Sequence, residues 1–488
     1  MKTIALMALL LAPAAHADDL ASHLIARPGV GNIEVFGPGV TYNIVPAPAL
    51  PGASAVHIDI PAPKADSHPW DSGASIITTG DIHTGDHITA VFWARSTSAK
   101  AAIGVRLESN QEPYDSLADA QITPGPDWKM FTLAGVAARD FPAAHFVLNL
   151  ATNTMAQGLD LGPAYILDNG DEVNEKALRA VPMGTVRDAT ITLPDGVKLA
   201  TTLRLPAGAG PFPAVMMITG AGPNPREPSN VLSLALLDHG YAVLQYDKRG
   251  VGQSTGTLDN TQTALRAHDA DVVMTWLRQQ PGVDPKHTGV LGHSEGGEIA
   301  TMIAAEDPAI AFAISLAGPA ESQSEMIIAA RLLALKARGA TPEAIAAATK
   351  VWRAGQAALM AATSDDDAEA RTKAALAPFI GPQLSQGQID LIAARVRDPV
   401  FRAQLLYDPA EALRRIHVPV LGLFGTADTV VPPDDNAAAL RKGLSDDADV
   451  TVTLVTGFNH LFQRGSEQPM SDPELLGIVT GWLDKRTK

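Results

Sequence analysis

The sequence predicts two domains of different class. An all-β sandwich occupies residues 18–168, and an α/β domain with a mostly parallel sheet and a helical insertion fills 169–488. Three observations lead there. The chain has 488 residues, more than one hydrophobic core usually holds. Up to about Leu167, short alternating apolar runs are broken by Gly, Pro, Asp and Asn, with no helical period between them. Beyond that point, continuous β-rich runs alternate with helix-length segments, as they do in strands buried on both faces.

In the first half, Val56–Ile60, Ile88–Trp93, Ile103–Leu107 and Phe146–Leu150 read as strands, and Trp93 alternates toward the core. Trp70-Asp71 is followed by Gly85-Asp86 opening the strand Val91–Arg95, then by Trp128–Phe131. Leu159 to Tyr165, with Gly162-Pro163 inside it, closes the series. This succession resembles the jelly-roll carbohydrate-binding modules attached to many secreted glycan-degrading enzymes. The resemblance implies carbohydrate contact through exposed aromatic platforms, for which Trp70, Tyr114 and Trp128 are the candidates. Aromatics make up only 5% of the chain, so a sandwich that merely braces its neighbour is the competing expectation.

In the second half, Ala189–Leu193 and Lys198–Leu205 form a hairpin around Pro194-Asp195-Gly196. The strands expected next are Ala214–Ile218, Tyr241–Tyr246, Thr288–Leu291, Ala311–Leu316, Val420–Phe424 and Val450–Val455. An Ala-rich stretch at about 320–415, with apolar residues three and four apart, interrupts this alternation and predicts an inserted helical cap.

Lys2, the apolar stretch Ile4–Leu11 and the small residues of Ala15-His16-Ala17 read as a secretory signal peptide over residues 1–17. The run is too short to span a bilayer, and no later stretch is long and apolar enough to do so. A periplasmic or extracellular location follows. The formal net charge of −16, without any long Lys/Arg run, argues against nucleic-acid or anionic-membrane partners. The chain has no cysteine, which excludes disulfides, thiolate metal sites, cysteine catalysis and a lipid anchor at the cleavage site.

The strongest chemical signal is Gly292-His293-Ser294-Glu295-Gly296, followed by Gly297, between a strand and a helix. A G-x-S-x-G in that context is a nucleophile elbow, whose glycines allow a tight turn that exposes the serine above the sheet. Serine needs a base held by an acid, and in this arrangement both follow it in the chain, on loops after later strands. Asp428, on the loop leaving Val420–Phe424, is the expected acid; Asp434 and Asp435 lie beyond Pro432-Pro433 and read as helix caps. His460, on the exit loop of Val450–Val455, is the expected base, while His293 reads as structural. The expected oxyanion donors are the backbone N–H of Glu295 and that of Ala221, with Gly222 second; Pro223 has no N–H. Glu295 and Glu298 read as local rather than as a glycosidase pair. No HExxH or calcium loop is present, and no cofactor is expected.

These segments together resemble bacterial α/β-hydrolase esterases with a G-H-S-E-G-G elbow. The shared motifs are Gly292–Gly297, Gly220–Pro223, Asp247–Gly256, Tyr407-Asp408-Pro409 and Gly457–Gln463, within about Thr190 to Leu483. Where that family often carries a charged D-R-D-like run, this chain reads Asn224-Pro225-Arg226-Glu227. The resemblance implies an α/β-hydrolase fold and hydrolysis of small or medium acyl esters, with a small-molecule or acylated-glycan ester as substrate. The segment Asp247–Gly256 is expected to act as scaffolding through its glycines and an Asp247/Arg249 ion pair. A serine exopeptidase or amidase is the first alternative, an acyl-CoA thioesterase or a glycan-binding protein the next.

Overall fold

The structure, a computed structural model, describes residues 20–487 except 21, 27, 97–101, 169–174, 228–229, 260–262, 382, 445–448 and 466–468. The expected signal peptide, and residues 169–174 of the connecting stretch, lie outside the described residues. The chain divides into two compact units between Thr185 and Val186.

The first unit is a sandwich of two five-stranded antiparallel sheets. One is ordered β1 (Glu34–Phe36), β4 (Gly73–Ile77), β9 (Phe146–Ala151), β6 (Ile103–Ser109) and β7 (Ser116–Ile122). The other is ordered β2 (Thr41–Pro46), β3 (Ser54–Ile60), β10 (Gln157–Asp168), β5 (His87–Ser96) and β8 (Lys129–Val136). Strict alternation buries Ile103, Val105 and Leu107 of β6, which is what holds the register. Trp93 is buried and meets Tyr165 edge-on, its ring centroid 6.0 Å away.

Of the three aromatics singled out as platforms, Trp70 and Tyr114 are exposed, but not together. Asn153, beyond one end of β9, bonds to the backbone of His68 and Pro69, beside Trp70. Asn110 bonds to Ala144 and His145 at the other end, close to Tyr114. A strand's length, roughly 20 Å, therefore separates the two rings. Trp128 lies under Arg95, whose guanidinium is 4.7 Å from the ring centroid. The three do not make one platform.

The second unit is an α/β-hydrolase fold. Its eight strands are β11 (Thr185–Thr192), β12 (Lys198–Leu205), β13 (Phe212–Ile218), β14 (Ala242–Tyr246), β15 (Val283–His293), β16 (Ala313–Leu316), β17 (Val420–Gly425) and β18 (Val450–Val455). They are ordered β11-β12-β14-β13-β15-β16-β17-β18. β12 runs antiparallel to β14, and every pairing from β14 to β18 is parallel. Val215, Met216, Leu244, Val290 and Ile314 are fully buried, as expected of strands covered on both faces.

Between β16 and β17 the chain forms a cap of helices: Gln323–Ala337, Pro342–Met360, Asp365–Leu376, Gln386–Arg395 and Pro399–Leu406. Four of them begin with a hydroxyl side chain accepting from the first turn, namely Ser322, Thr341, Ser364 and Ser385. Asn436, on the helix Pro433–Gly443, accepts from the N–H groups of Ala320 and Glu321 and so ties the cap's root to the sheet domain.

The helix Glu295–Glu306 lies unusually close to the sheet. A Cβ on Gly292 would sit 1.8 Å from the Gly296 carbonyl oxygen, and one on Gly296 would sit 2.2 Å from that of Ile218. Both obstacles are backbone and cannot swing aside. Gly296→Ala should cost about 3 kcal/mol or more. Gly477→Ala, at an exposed position of the helix Pro473–Thr487 where a Cβ would meet no atom within 4 Å, should instead gain about 0.5–1 kcal/mol. Denaturant unfolding of the two variants beside the wild type checks the contrast; equal stabilities would refute the close-packing argument.

Candidate active site

Parallel strands deliver their exit loops to one edge of the sheet, where open α/β folds place their crevice. Here the loops after β13, β15, β17 and β18 meet. Ser294 stands between β15 and its helix with φ 55° and ψ −122°, a left-handed conformation costly for a residue with a side chain. The turn is held because the Ser294 N–H donates to the Leu316 carbonyl at 2.8 Å, and the Ser294 carbonyl accepts from Gly297 and Glu298.

The structure brings Ser294, His460 and Asp428 into one chain of hydrogen bonds. His460 Nε2 is 3.0 Å from Ser294 Oγ, and His460 Nδ1 is 2.8 Å from Asp428 Oδ2. Asp428 is buried, and its other oxygen accepts from the N–H groups of Val430 and Val431 at 2.7 and 2.9 Å. These fix the carboxylate's orientation. The two loops are stitched together, since Ala427 N–H donates to the Phe458 carbonyl at 2.9 Å. Asn459 Oδ1 accepts from Leu461 and Gln463 N–H, closing the tight turn that presents His460.

His293 serves this arrangement from behind. Its Nε2–H donates to the His460 carbonyl at 2.7 Å, and burial pushes its pKa down to about 4, so the ring is neutral at physiological pH. Asp434 and Asp435 fall in the first turn of the helix Pro433–Gly443, where they face the positive end of its dipole.

Glu295 is the first residue of its helix, so its N–H has no carbonyl four residues back to bond. Gly220 abuts Ser294: a Cβ on the glycine would be 3.1 Å from that of the serine. Ala221 and Gly222 follow it directly, and Gly222 takes φ +95°, a conformation glycine adopts without strain. Asn224 Nδ2 donates to the Ala221 carbonyl at 2.9 Å, folding this loop on itself.

One expectation is corrected. Asp247 and Arg249 do not pair. Asp247 pairs with buried Arg226 and also accepts from the Arg226 and Gln253 N–H groups. Arg249 forms a two-pronged bond with Asp269 at 2.6 and 2.7 Å and a further one with Asp195. Residues two apart at this turn diverge, and each finds a partner on another element. Arg226, in the stretch where the chain departs from the esterase pattern, is thus an anchor of the scaffold.

Two neighbours of the site, Arg266 and Lys248, went unread in the sequence. Arg266, fully buried, pairs with the Glu295 carboxylate. Lys248 donates to the Gly220 carbonyl, and burial pushes its ammonium down to about 8. Glu298 is buried beside them, and burial, with Glu295 adding to it, raises its carboxyl to about 7. Among the described residues no cluster of three or more acidic or histidine side chains is arranged to hold a metal, and no helix is long and apolar enough to cross a membrane.

The raised carboxyl gives a pH signature. The folded state keeps the Glu298 proton to about pH 7, while the unfolded chain loses it near 4.5, so stability is full below 4.5 and is lost as pH rises through 7. Glu298→Gln removes that slope. Relative to wild type, the variant should gain about 3 kcal/mol between pH 5 and pH 9. Denaturant melts at both values read this out, and a pH-independent difference would contradict it.

Among curated proteins the chain is 37% identical over 84 residues to polyketide transferase grgF of Penicillium sp., a match covering 16% of this chain and 28% of that protein. It is 28% identical over 263 residues to non-heme chloroperoxidase of Streptomyces lividans, covering 50% and 84% respectively. The solved acetyl xylan esterase of Paenibacillus sp. matches at 15% identity and a TM-score of 0.42, covering 62% of this chain and 84% of that one. The family model for X-Pro dipeptidyl-peptidase (S15 family) matches residues 195–455, from the β11–β12 turn to the end of β18. That stretch is more than half of the chain and includes the elbow, the cap and Asp428: the protein belongs to the X-Pro dipeptidyl-peptidase (S15) family of α/β-hydrolases.

Proposed function

We propose that this α/β-hydrolase cleaves carboxylic esters of short to medium acyl groups through an acyl-enzyme on Ser294. The observation carrying this reading is the unbroken Asp428–His460–Ser294 hydrogen-bond chain. His460 Nε2 takes the Ser294 proton as Oγ attacks the ester carbonyl. Asp428 keeps the Nδ1–H tautomer and stabilises the imidazolium that forms. The N–H groups of Glu295 and Ala221, with Gly222 as second choice, meet the oxyanion. His460 then protonates the departing alcohol. Water repeats the sequence on the acyl-enzyme, releasing the acid and restoring Ser294. The His293 bond to the His460 carbonyl keeps the ring in place across both half-reactions.

Family membership favours a second reading, cleavage of an amide after proline by the same residues. The chemistry differs only in the leaving group, an amine that must be protonated before it departs. As substrate setting we propose an extracytoplasmic small-molecule or acylated-glycan ester. The leader-like residues 1–17 and the sandwich support it, with the sandwich acting chiefly as a brace because its exposed aromatics are dispersed.

The test is a panel of p-nitrophenyl esters from acetyl to octanoyl beside Gly-Pro p-nitroanilide, on wild type and Ser294→Ala. The expected result is short-ester turnover that falls about 10³-fold or more in the variant. Anilide cleavage that outpaces the esters would move the assignment to the peptidase. Turnover that survives Ser294→Ala would discard the assigned nucleophile.

A further inference from the structure

Eight carboxylates are buried among the described residues, and seven have a basic partner. Glu108 meets Arg106, Asp160 Arg95, Asp247 Arg226, Asp269 Arg249, Glu295 Arg266, Asp428 His460 and Asp472 Arg464. Glu298 is the eighth. Both its oxygens accept from the neutral amide of Gln323, whose Nε2 lies 3.0 and 3.1 Å away, while Arg266, paired with Glu295, acts on it without forming an ion pair. Burying a carboxylate without a cation is expensive, and proteins seldom leave one so.

Glu298 opens onto a cavity of about 450 Å³ between the elbow helix and the cap, within the size range of small-ligand pockets. Leu265, Met302 and Val400 give it an aliphatic wall; Glu298, Gln323 and Tyr407 supply the polar groups. The Tyr407 phenol oxygen is buried without a hydrogen-bond partner, although the Tyr407 backbone is fixed by the Gln323 N–H at 2.9 Å. A carboxylate lacking a cation and a hydroxyl lacking a partner thus line the same largely apolar space. Such groups in native proteins call for an occupant that completes them. Along its helix Glu298 lies one turn from Ser294, its N–H donating to the Ser294 carbonyl at 3.2 Å.

We infer that this cavity binds a protonated amine with a small aliphatic body, the ammonium between the Glu298 carboxylate and the Tyr407 hydroxyl. The ammonium donates to both oxygens, and the alkyl part lies on Leu265, Met302 and Val400. A carboxylate or phosphate would meet repulsion from Glu298, and a neutral alcohol would leave the charge uncompensated. The amine is either part of a substrate held at Ser294 or a free small amine; the chemistry at Glu298 is the same. Only the substrate case rests on the hydrolase reading above.

Isothermal titration calorimetry with n-propylammonium and n-propanol, on wild type, Glu298→Gln and Tyr407→Phe at about pH 8.5, tests the site. That pH ionises Glu298 and leaves the amine protonated. The wild type should bind propylammonium and not propanol. Glu298→Gln should weaken binding by about tenfold or more and Tyr407→Phe by severalfold. Equal affinity in Glu298→Gln, or no propylammonium binding by folded wild type, would overturn the inference. A second arm compares kcat/KM for glycine and β-alanine ethyl esters with their N-acetyl forms. A preference for the free amine that collapses in Glu298→Gln assigns the site to a substrate. Calorimetric binding without that preference assigns it to a free amine. If wild type turns over no ester, the reading of Ser294 as an esterase nucleophile fails on its own, and the calorimetry still decides the cation site.

Discussion

The distance between the helix Glu295–Glu306 and the strands beneath it governs the site. Only glycine at 292 and 296 lets backbone meet backbone there, and the approach forces Ser294 into a left-handed turn. That conformation is unfavourable alone and persists because the Leu316 carbonyl and the first turn of the helix hold it from both sides. The same geometry frees the Glu295 N–H, seats Gly220 against Ser294 and sets where the loops from β17 and β18 must deliver Asp428 and His460. A looser helix would lose all of these at once.

The site is also a charged place built in a dry one. Arg266, Lys248, Glu295 and Glu298 are all buried around the helix that follows Ser294 and the loop at Gly220. Arg266 and Glu295 neutralise one another, and Lys248 spends its charge on the Gly220 carbonyl. His293 goes the other way: burial keeps it uncharged, and its Nε2–H holds the His460 carbonyl. Two histidines with ring centroids 5.0 Å apart therefore have separate duties, set by burial and not by sequence distance.

Much of this was legible in the chain. Ser294, Asp428 and His460 each follow an apolar run that could only be a buried strand, and parallel strands must release their loops at the same edge. What could not be read is what spans elements without a periodic pattern. Arg266 reaches Glu295 across 29 residues, and nothing local marks it. The expected Asp247/Arg249 pair does not form because neighbours in sequence need not be neighbours in space; the turn sends the two side chains to Arg226 and Asp269 instead. In the sandwich, alternation correctly sent Trp93 inside, but whether Trp70, Tyr114 and Trp128 share a surface depends on strand order, which alternation does not encode.

The cap raises a different matter, that of tolerance to change. It is an enlarged crossover between the adjacent parallel strands β16 and β17, about a hundred residues where a dozen would suffice. Lengthening a connection roughly tenfold adds only about 2 kcal/mol of closure entropy, which its own helix caps and small core readily offset. The cap is tied to the rest at its two roots, by the bonds of Asn436 to Ala320 and Glu321, of Gln323 to Glu298 and of Arg415 to Glu306. Exchanges of residue or of length within the cap therefore cost the fold little beside changes in β16 and β17, which are buried in the sheet.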